Sequence, residues 1–200
     1  MTDRPTLFYR IARLFIWTIL RLGNRISVRG RENVPAAGPV IIACNHVSYV
    51  DPPALGCVLD RPVAYMAKVE LFSIPVLGTL IRALGAFPVD RKRGDVAAIR
   101  AAADVLKRGR VLGIFPEGTR NTDGNVKPQM GVALLASLTG ATVVPAYVAG
   151  SKDAARLAKI TVTYGPSLRF VLDRKAKRDD LAKWTDDLMD RIYALRENIV

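Results

Sequence analysis

The stretch PVIIACNHVSYVDPPALG, residues 39–56, decides the fold. Residues 39–44 are an apolar run rich in β-branched side chains, the pattern of a strand buried on both faces. Asp51-Pro52 then reads as a helix start, because Asp caps helix N-termini and Pro suits the first helical position. The run NHVSYVD between them is therefore a strand-to-helix loop at the carboxyl edge of a sheet, where open α/β folds bind ligands. It holds His46, the one histidine of the chain, five residues before Asp51. A carboxylate folding back onto an imidazole fixes its tautomer and leaves the other ring nitrogen free to take a proton. The competing reading of this run is a turn histidine beside a capping aspartate.

Outward from this stretch, strands alternate with helices. Strand patterns fall at residues 25–30, 63–68, 85–90, 111–115, 142–148 and 160–164. Helical spacing follows at 52–59, after Asp95 as far as Gly109, at 131–138, and from about Leu181, where Trp184, Leu188, Ile192 and Leu195 share a face. Residues 71–84 are apolar but contain Pro75 and Gly78, which predicts a kinked or broken helix. Pro145 inside an apolar strand suggests an edge or a bulge. The alternation predicts one α/β domain with a mostly parallel central sheet flanked by helices. Two hundred residues suit such a single domain.

The formal net charge is +12, and half of the residues are apolar. Seven basic residues stand against two acidic ones in the first fifty, a local excess of +5 beside the most apolar segment. Residues 6–22, TLFYRIARLFIWTILRL, are broken by Arg10, Arg13 and Arg21, and so fall short of the roughly 20 apolar residues that cross a bilayer. Aromatic side chains among arginines suit a helix lying in the headgroup region of a membrane, and packing on the protein's own core is the alternative. Residues 1–24 are thus expected to form a membrane-associating helical segment and residues 25–200 the catalytic domain. An anionic bilayer surface is the expected partner, each basic side chain near it contributing roughly 1 kcal/mol. Charge alone speaks for nucleic acid, and no zinc-finger spacing or RNA-binding aromatic motif supports it. Cys44 and Cys57 lack metal-ligand spacing and read as reduced core thiols, which fits a cytoplasmic site; one histidine makes a His-based metal site improbable.

A second loop, FPEGTR at residues 115–120, also follows a strand and should open on the same sheet edge. It offers the Glu117 carboxylate, backbone N–H groups around Gly118 and Thr119, and the Arg120 guanidinium, a set able to hold a phosphate or a polyol. Alone, it is equally a tight turn with a surface ion pair. Arg91, closing GAFPVDR at 85–91, and Lys68, closing the strand VAYMAK, are further candidate cations. Ser48, two residues from His46, is badly placed for a productive Ser–His pair.

In this order, NHVSYVD, GAFPVDR, FPEGTR and VVPAYVAG (143–150) resemble the motifs of the glycerolipid acyltransferases of the lysophosphatidic-acid acyltransferase type. That family carries a His-x4-Asp motif, a Gly-x-x-Phe-x-x-Arg-like motif, a Phe-Pro-Glu-Gly-Thr-Arg motif and a final apolar motif with a proline. Pro88 departs from the apolar residue usual in the second. The resemblance implies a glycerol-3-phosphate acyltransferase-like fold, with His46 as general base and Asp51 orienting it. Glu117 and Gly118 would bind the acceptor's glycerol-phosphate or shape the site, and Arg91 and Arg120, with Lys68, would grip the phosphate. It implies lysophosphatidic acid as acceptor, acyl-CoA or acyl carrier protein as donor substrate, no metal and no other cofactor, and a place on the cytoplasmic face of the cell membrane. Another acceptor, such as glycerol 3-phosphate or another lysophospholipid, and a non-catalytic lipid-binding module are the alternatives.

Overall fold

The computed structural model describes residues 5–89, 95–172 and 174–197. Seven strands, β1 (Ser27–Arg29), β2 (Val40–Cys44), β3 (Val63–Lys68), β4 (Phe87–Val89), β5 (Val111–Ile114), β6 (Thr142–Ala149) and β7 (Thr161–Tyr164), form one sheet of order β1-β7-β6-β2-β5-β3-β4. All neighbours run parallel except β6 and β7. The β2 run VIIAC lies at the centre, with Val40 opposite Val111 of β5 on one side and Thr142 of β6 on the other. All five of its residues are fully buried.

The period-2 alternation of β2 divides the core. Val40, Ile42 and Cys44 face a layer made by α1 (Leu7–Gly23) and α2 (Asp51–Cys57). Ile41 and Ala43 face α4 (Asp95–Lys107), α5 (Gly131–Thr139) and α6 (Arg178–Ala194). The apolar positions of α6 perform as its spacing predicts: Leu188 and Ile192 are fully buried. Residues 71–84 break as Pro75 and Gly78 suggest, into a 3-10 turn (Val69–Ser73) and the short helix α3 (Leu77–Ala83), with Val76 at a left-handed φ of 66° between them.

Of the two expectations for Pro145, an edge or a bulge, the structure has the bulge, and the strand is an interior one. Ala146 is opposite Tyr164 and Val143 opposite Leu168, so three residues, 165–167, stand against two, 144 and 145. Pro145 O accepts from Gly165 N–H at 2.8 Å, so the side where proline lacks its donor faces this bulge beyond the end of β7, and no ladder bond is lost there. Asp51 does not cap α2. It is the first helical residue, and its carboxylate turns back into the preceding loop.

Helix α1 begins where Thr6 Oγ1 accepts from Tyr9 N–H at 3.1 Å. One face packs inward. Tyr9 and Leu20 are buried, Ile16 packs on the core, Tyr9 Oη accepts from Val63 N–H at 3.3 Å, and Arg13 donates to Leu59 O and pairs with Asp60 Oδ1. The opposite arc, including Leu7, Ile11, Leu14, Phe15 and Leu22, is 60–79% exposed. No described helix is long and apolar enough to cross a membrane.

Candidate active site

Strands β2 and β5 are neighbours and parallel, so the loops that follow them leave the same edge side by side. The first is fastened by Asn45. Its Oδ1 accepts from Val148 N–H at 2.8 Å and its Nδ2 donates to Val148 O at 3.1 Å, so a side chain continues the pairing of β2 with β6. His46 follows, with its side chain 16% exposed. Its ring stacks on Phe115, centroids 4.2 Å apart and planes 24° from parallel. Phe115 in turn lies over Tyr65, whose hydroxyl donates to Pro52 O at 2.9 Å.

His46 Nδ1 is 2.9 Å from Asp51 Oδ2. The same oxygen accepts from Val47 N–H and Ser48 N–H, each at 2.7 Å. Asp51 is fully buried, and its Oδ1 has no hydrogen-bond partner among the described residues. Three donors converging on one oxygen hold the carboxylate as an acceptor and assign the proton of the neutral imidazole to Nδ1. Nε2 is then the basic nitrogen, and it has no partner among the described residues. Ser48 Oγ accepts from Val50 N–H at 3.2 Å within the turn and makes no bond to His46.

Glu117 lies beneath this loop and is 1% exposed. Oε2 accepts from His46 N–H at 2.7 Å, while Oε1 accepts from Asn121 Nδ2 at 3.1 Å and from Tyr193 Oη of α6 at 2.6 Å. Burial and the Glu117 carboxylate push the Tyr193 hydroxyl well up from its usual range, so it stays a proton donor. Asn121 N–H donates to His46 O at 2.7 Å, closing the link between the two loops. Of the two roles the family resemblance implies for Glu117, shaping the site fits this geometry. Contact with an acceptor does not, because both oxygens are already engaged inside the protein.

The remaining candidates separate. Gly118 takes φ +68°, and a Cβ there would lie 2.7 Å from Gln129 Nε2. Its N–H donates to Phe115 O at 2.9 Å, so, contrary to the sequence-based expectation, it is not free for a phosphate. Thr119 and Arg120 are exposed at the mouth of the loop. Arg120 donates to Tyr49 Oη at 2.9 Å, and its guanidinium lies 3.8 Å from the Tyr49 ring centroid; it makes no ion pair among the described residues. Lys68 is exposed at the end of β3, on the same edge but without a contact to the His46–Glu117 network. Arg91 lies outside the described residues. No group of metal-ligating side chains occurs among the described residues.

Sequence reasoning missed Asn45, Asn121 and Tyr193. The two asparagines directly flank NHVSYVD's histidine and the end of FPEGTR, which was the available signal. Tyr193 carries none, being joined to Glu117 across 76 positions.

The chain is 32% identical over 196 residues to the 1-acyl-sn-glycerol-3-phosphate acyltransferase of Bacillus subtilis (strain 168), covering 96% of this chain and 98% of that one. It is 36% identical over 126 residues to the enzyme of that name from Borreliella burgdorferi, covering 62% of this chain and half of the relative. The crystal structure of the 1-acyl-sn-glycerophosphate (LPA) acyltransferase from Thermotoga maritima superposes with a TM-score of 0.69 over 95% of both chains at 24% identity, a likeness of fold. The acyltransferase family model matches residues 25–149, which span both loops of the site. With a buried carboxylate orienting a histidine whose second nitrogen is free, and with this match over most of its length, the chain belongs to the acyltransferase family.

Proposed function

We propose that this enzyme transfers a fatty acyl group from an acyl thioester to the sn-2 hydroxyl of 1-acyl-glycerol 3-phosphate, giving phosphatidic acid. The observation that carries the chemistry is the His46–Asp51 pair, with Nε2 open at the carboxyl edge of the sheet. The near full-length likeness to the Bacillus relative supports the choice of acceptor. The acceptor oxygen attacks the thioester carbonyl while Nε2 takes its proton. The tetrahedral intermediate then expels the thiolate, which recovers that proton from the imidazolium, so His46 ends as it began. Asp51 stabilises the imidazolium between the two steps. The Thr119 N–H, at the loop mouth and without a partner among the described residues, is available to the oxyanion. Arg120 receives the acceptor phosphate, with Arg91 and Lys68 as further cations of this reading. The donor is acyl-CoA or acyl carrier protein.

The test is thiol release from palmitoyl-CoA with and without 1-acyl-glycerol 3-phosphate. A general base contributes about 10²–10⁴-fold, so His46→Ala should lose activity on that scale with its fold intact. Acceptor-dependent release surviving at near wild-type rate in this variant would remove His46 from the mechanism.

The same reading places the enzyme peripherally on the cytoplasmic membrane face through α1. A helix whose inner arc holds the core while its outer arc stays apolar suits burial of that arc in the headgroup region. Arg10 and Arg21, eleven positions apart, line one flank of the arc for anionic lipid. Deleting the helix would uncover the core at Leu20 and Ile16. Replacing Ile11, Phe15 and Leu22 together with serine avoids this, and should abolish flotation with anionic vesicles while the melting temperature holds. Flotation at the wild-type level would locate the docking surface elsewhere.

A further inference from the structure

The wall of the site contains an unusual arrangement for a cation. Arg120 has no carboxylate partner among the described residues, yet it is not adrift: Tyr49 holds it by its ring face and by its hydroxyl together. Tyr49 belongs to the loop of His46, three residues on, whereas Arg120 belongs to the loop of Glu117. The two loops are also bonded through the next residue, Asn121, whose N–H meets His46 O at 2.7 Å. The guanidinium is therefore tied at both ends to the chain segment that carries the imidazole.

The choice of an aromatic partner has a chemical meaning. A carboxylate would orient the guanidinium but neutralise it and occupy its bidentate edge. A tyrosine ring binds the cation through its quadrupole, leaving the net charge and the remaining N–H donors for an incoming anion. Tyr49 is 74% exposed, so its position is not explained by packing. We propose that Tyr49 is a positioning residue for the acceptor: it presents Arg120, fully charged, at a fixed offset from His46, and so sets the register between a phosphate on the acceptor and the hydroxyl that is deprotonated. This rests on the reading of Arg120 as the phosphate ligand.

The register has a consequence for selectivity. An acceptor with a phosphate monoester gains from a pre-placed guanidinium, and one without an anionic head does not. Tyr49 accordingly separates phosphate-bearing from neutral monoacyl acceptors through KM for the acceptor, and leaves acyl-donor KM unaffected.

The experiment is a double-mutant cycle on the full chain in detergent, with palmitoyl-CoA as donor and either 1-acyl-glycerol 3-phosphate or uncharged monoacylglycerol as acceptor. Tyr49→Ala should raise KM for the phosphate acceptor about fivefold or more, with about seventyfold the ceiling set by an exposed cation–π contact plus one hydrogen bond. At saturating acceptor, kcat and donor KM should stay within about twofold of wild type, the usual reach of a surface change. Tyr49→Phe, which keeps the ring, should fall between. Arg120→Gln should raise the same KM more, and Tyr49→Ala should add nothing in that background, because the two act as one unit. Additive effects, or an unchanged KM in Tyr49→Ala, would overturn the role of Tyr49 while leaving Arg120 as a ligand. An unchanged KM in Arg120→Gln would overturn the reading of Arg120 itself, and the role of Tyr49 with it. Because Tyr49 is exposed, its variants should fold, and a matched melting temperature checks this.

Discussion

Replacing Glu117 by glutamine separates a carboxylate that binds substrate from one that holds the site together. Oε2 takes the His46 N–H at 2.7 Å, and Oε1 takes Asn121 Nδ2 at 3.1 Å and Tyr193 Oη at 2.6 Å. A glutamine has one oxygen and one amide nitrogen for these three donors. Keeping its oxygen on His46 N–H sets its NH₂ against Asn121 Nδ2, whose own oxygen already accepts from Val126 N–H at 3.3 Å. Tyr193 can rotate its hydroxyl and accept, but Asn121 is left with a buried unpaired donor. An orphaned buried donor costs about 1–3 kcal/mol, and exchanging charge-assisted bonds for neutral ones about 1 kcal/mol each. The total is about 3–5 kcal/mol, which for a domain of this size lowers the melting temperature by about 6–20 °C. Because the lost contacts hold the His46 main chain, kcat should fall about tenfold or more, the usual cost of misplacing a catalytic group. KM for the acceptor should stay near the wild-type value. Thermal melts by circular dichroism and steady-state kinetics in one detergent buffer measure both. A variant with wild-type melting and a greatly raised acceptor KM would refute the argument, because Glu117 would then face the substrate.

Two further outcomes concern titrating groups. Burial pushes the Cys57 thiol up to about 12 and the Cys44 thiol well above its usual value, so at pH 8 only about one Cys57 in 10⁴ is a thiolate. Ellman's reagent should therefore label both at the rate of global unfolding, and rapid labelling of the folded protein would show one of them to be accessible. At the start of α6, the Arg174 guanidinium and the Lys177 N–H hold the Asp180 carboxyl down at about 2. A depressed folded-state value means stabilisation that is present above about pH 4 and is lost as pH falls toward 2. Asp180→Asn should lower the melting temperature at pH 7 and leave it unchanged at pH 2, and an equal loss at both would point to packing instead of charge.

The sheet was legible where strand burial writes a pattern. Residues 63–68 read as the strand they form, and residues 39–44 as a buried strand, the latter because a strand covered on both faces must be apolar throughout. The His46–Asp51 pair was legible because its members stand only five positions apart, in one loop and at the helix start that follows it. The role of Glu117 was not, since its burial depends on Asn121 and on Tyr193 from the last helix, and no local pattern encodes a meeting of side chains so far apart. Pro145 signalled an edge or a bulge without deciding between them, because the bulge that tolerates it lies in residues 165–167, beyond the end of the neighbouring strand. Helix α1 was read as facing either lipid or core, and its inner arc has taken the core through Tyr9, Ile16 and Leu20.

The Tyr193–Glu117 hydrogen bond also bears on how the molecule is made. During synthesis from the N-terminus, every motif of the site leaves the ribosome before residue 193 does. Until then Oε1 of Glu117 lacks its closest donor, and the apolar floor formed by Leu188 and Ile192 is missing. The nascent chain thus carries the imidazole and its aspartate early, but the seat beneath them is completed only by residues translated after every signature motif. A chain released prematurely is therefore left with an unfinished site, even though all of its signature residues are present.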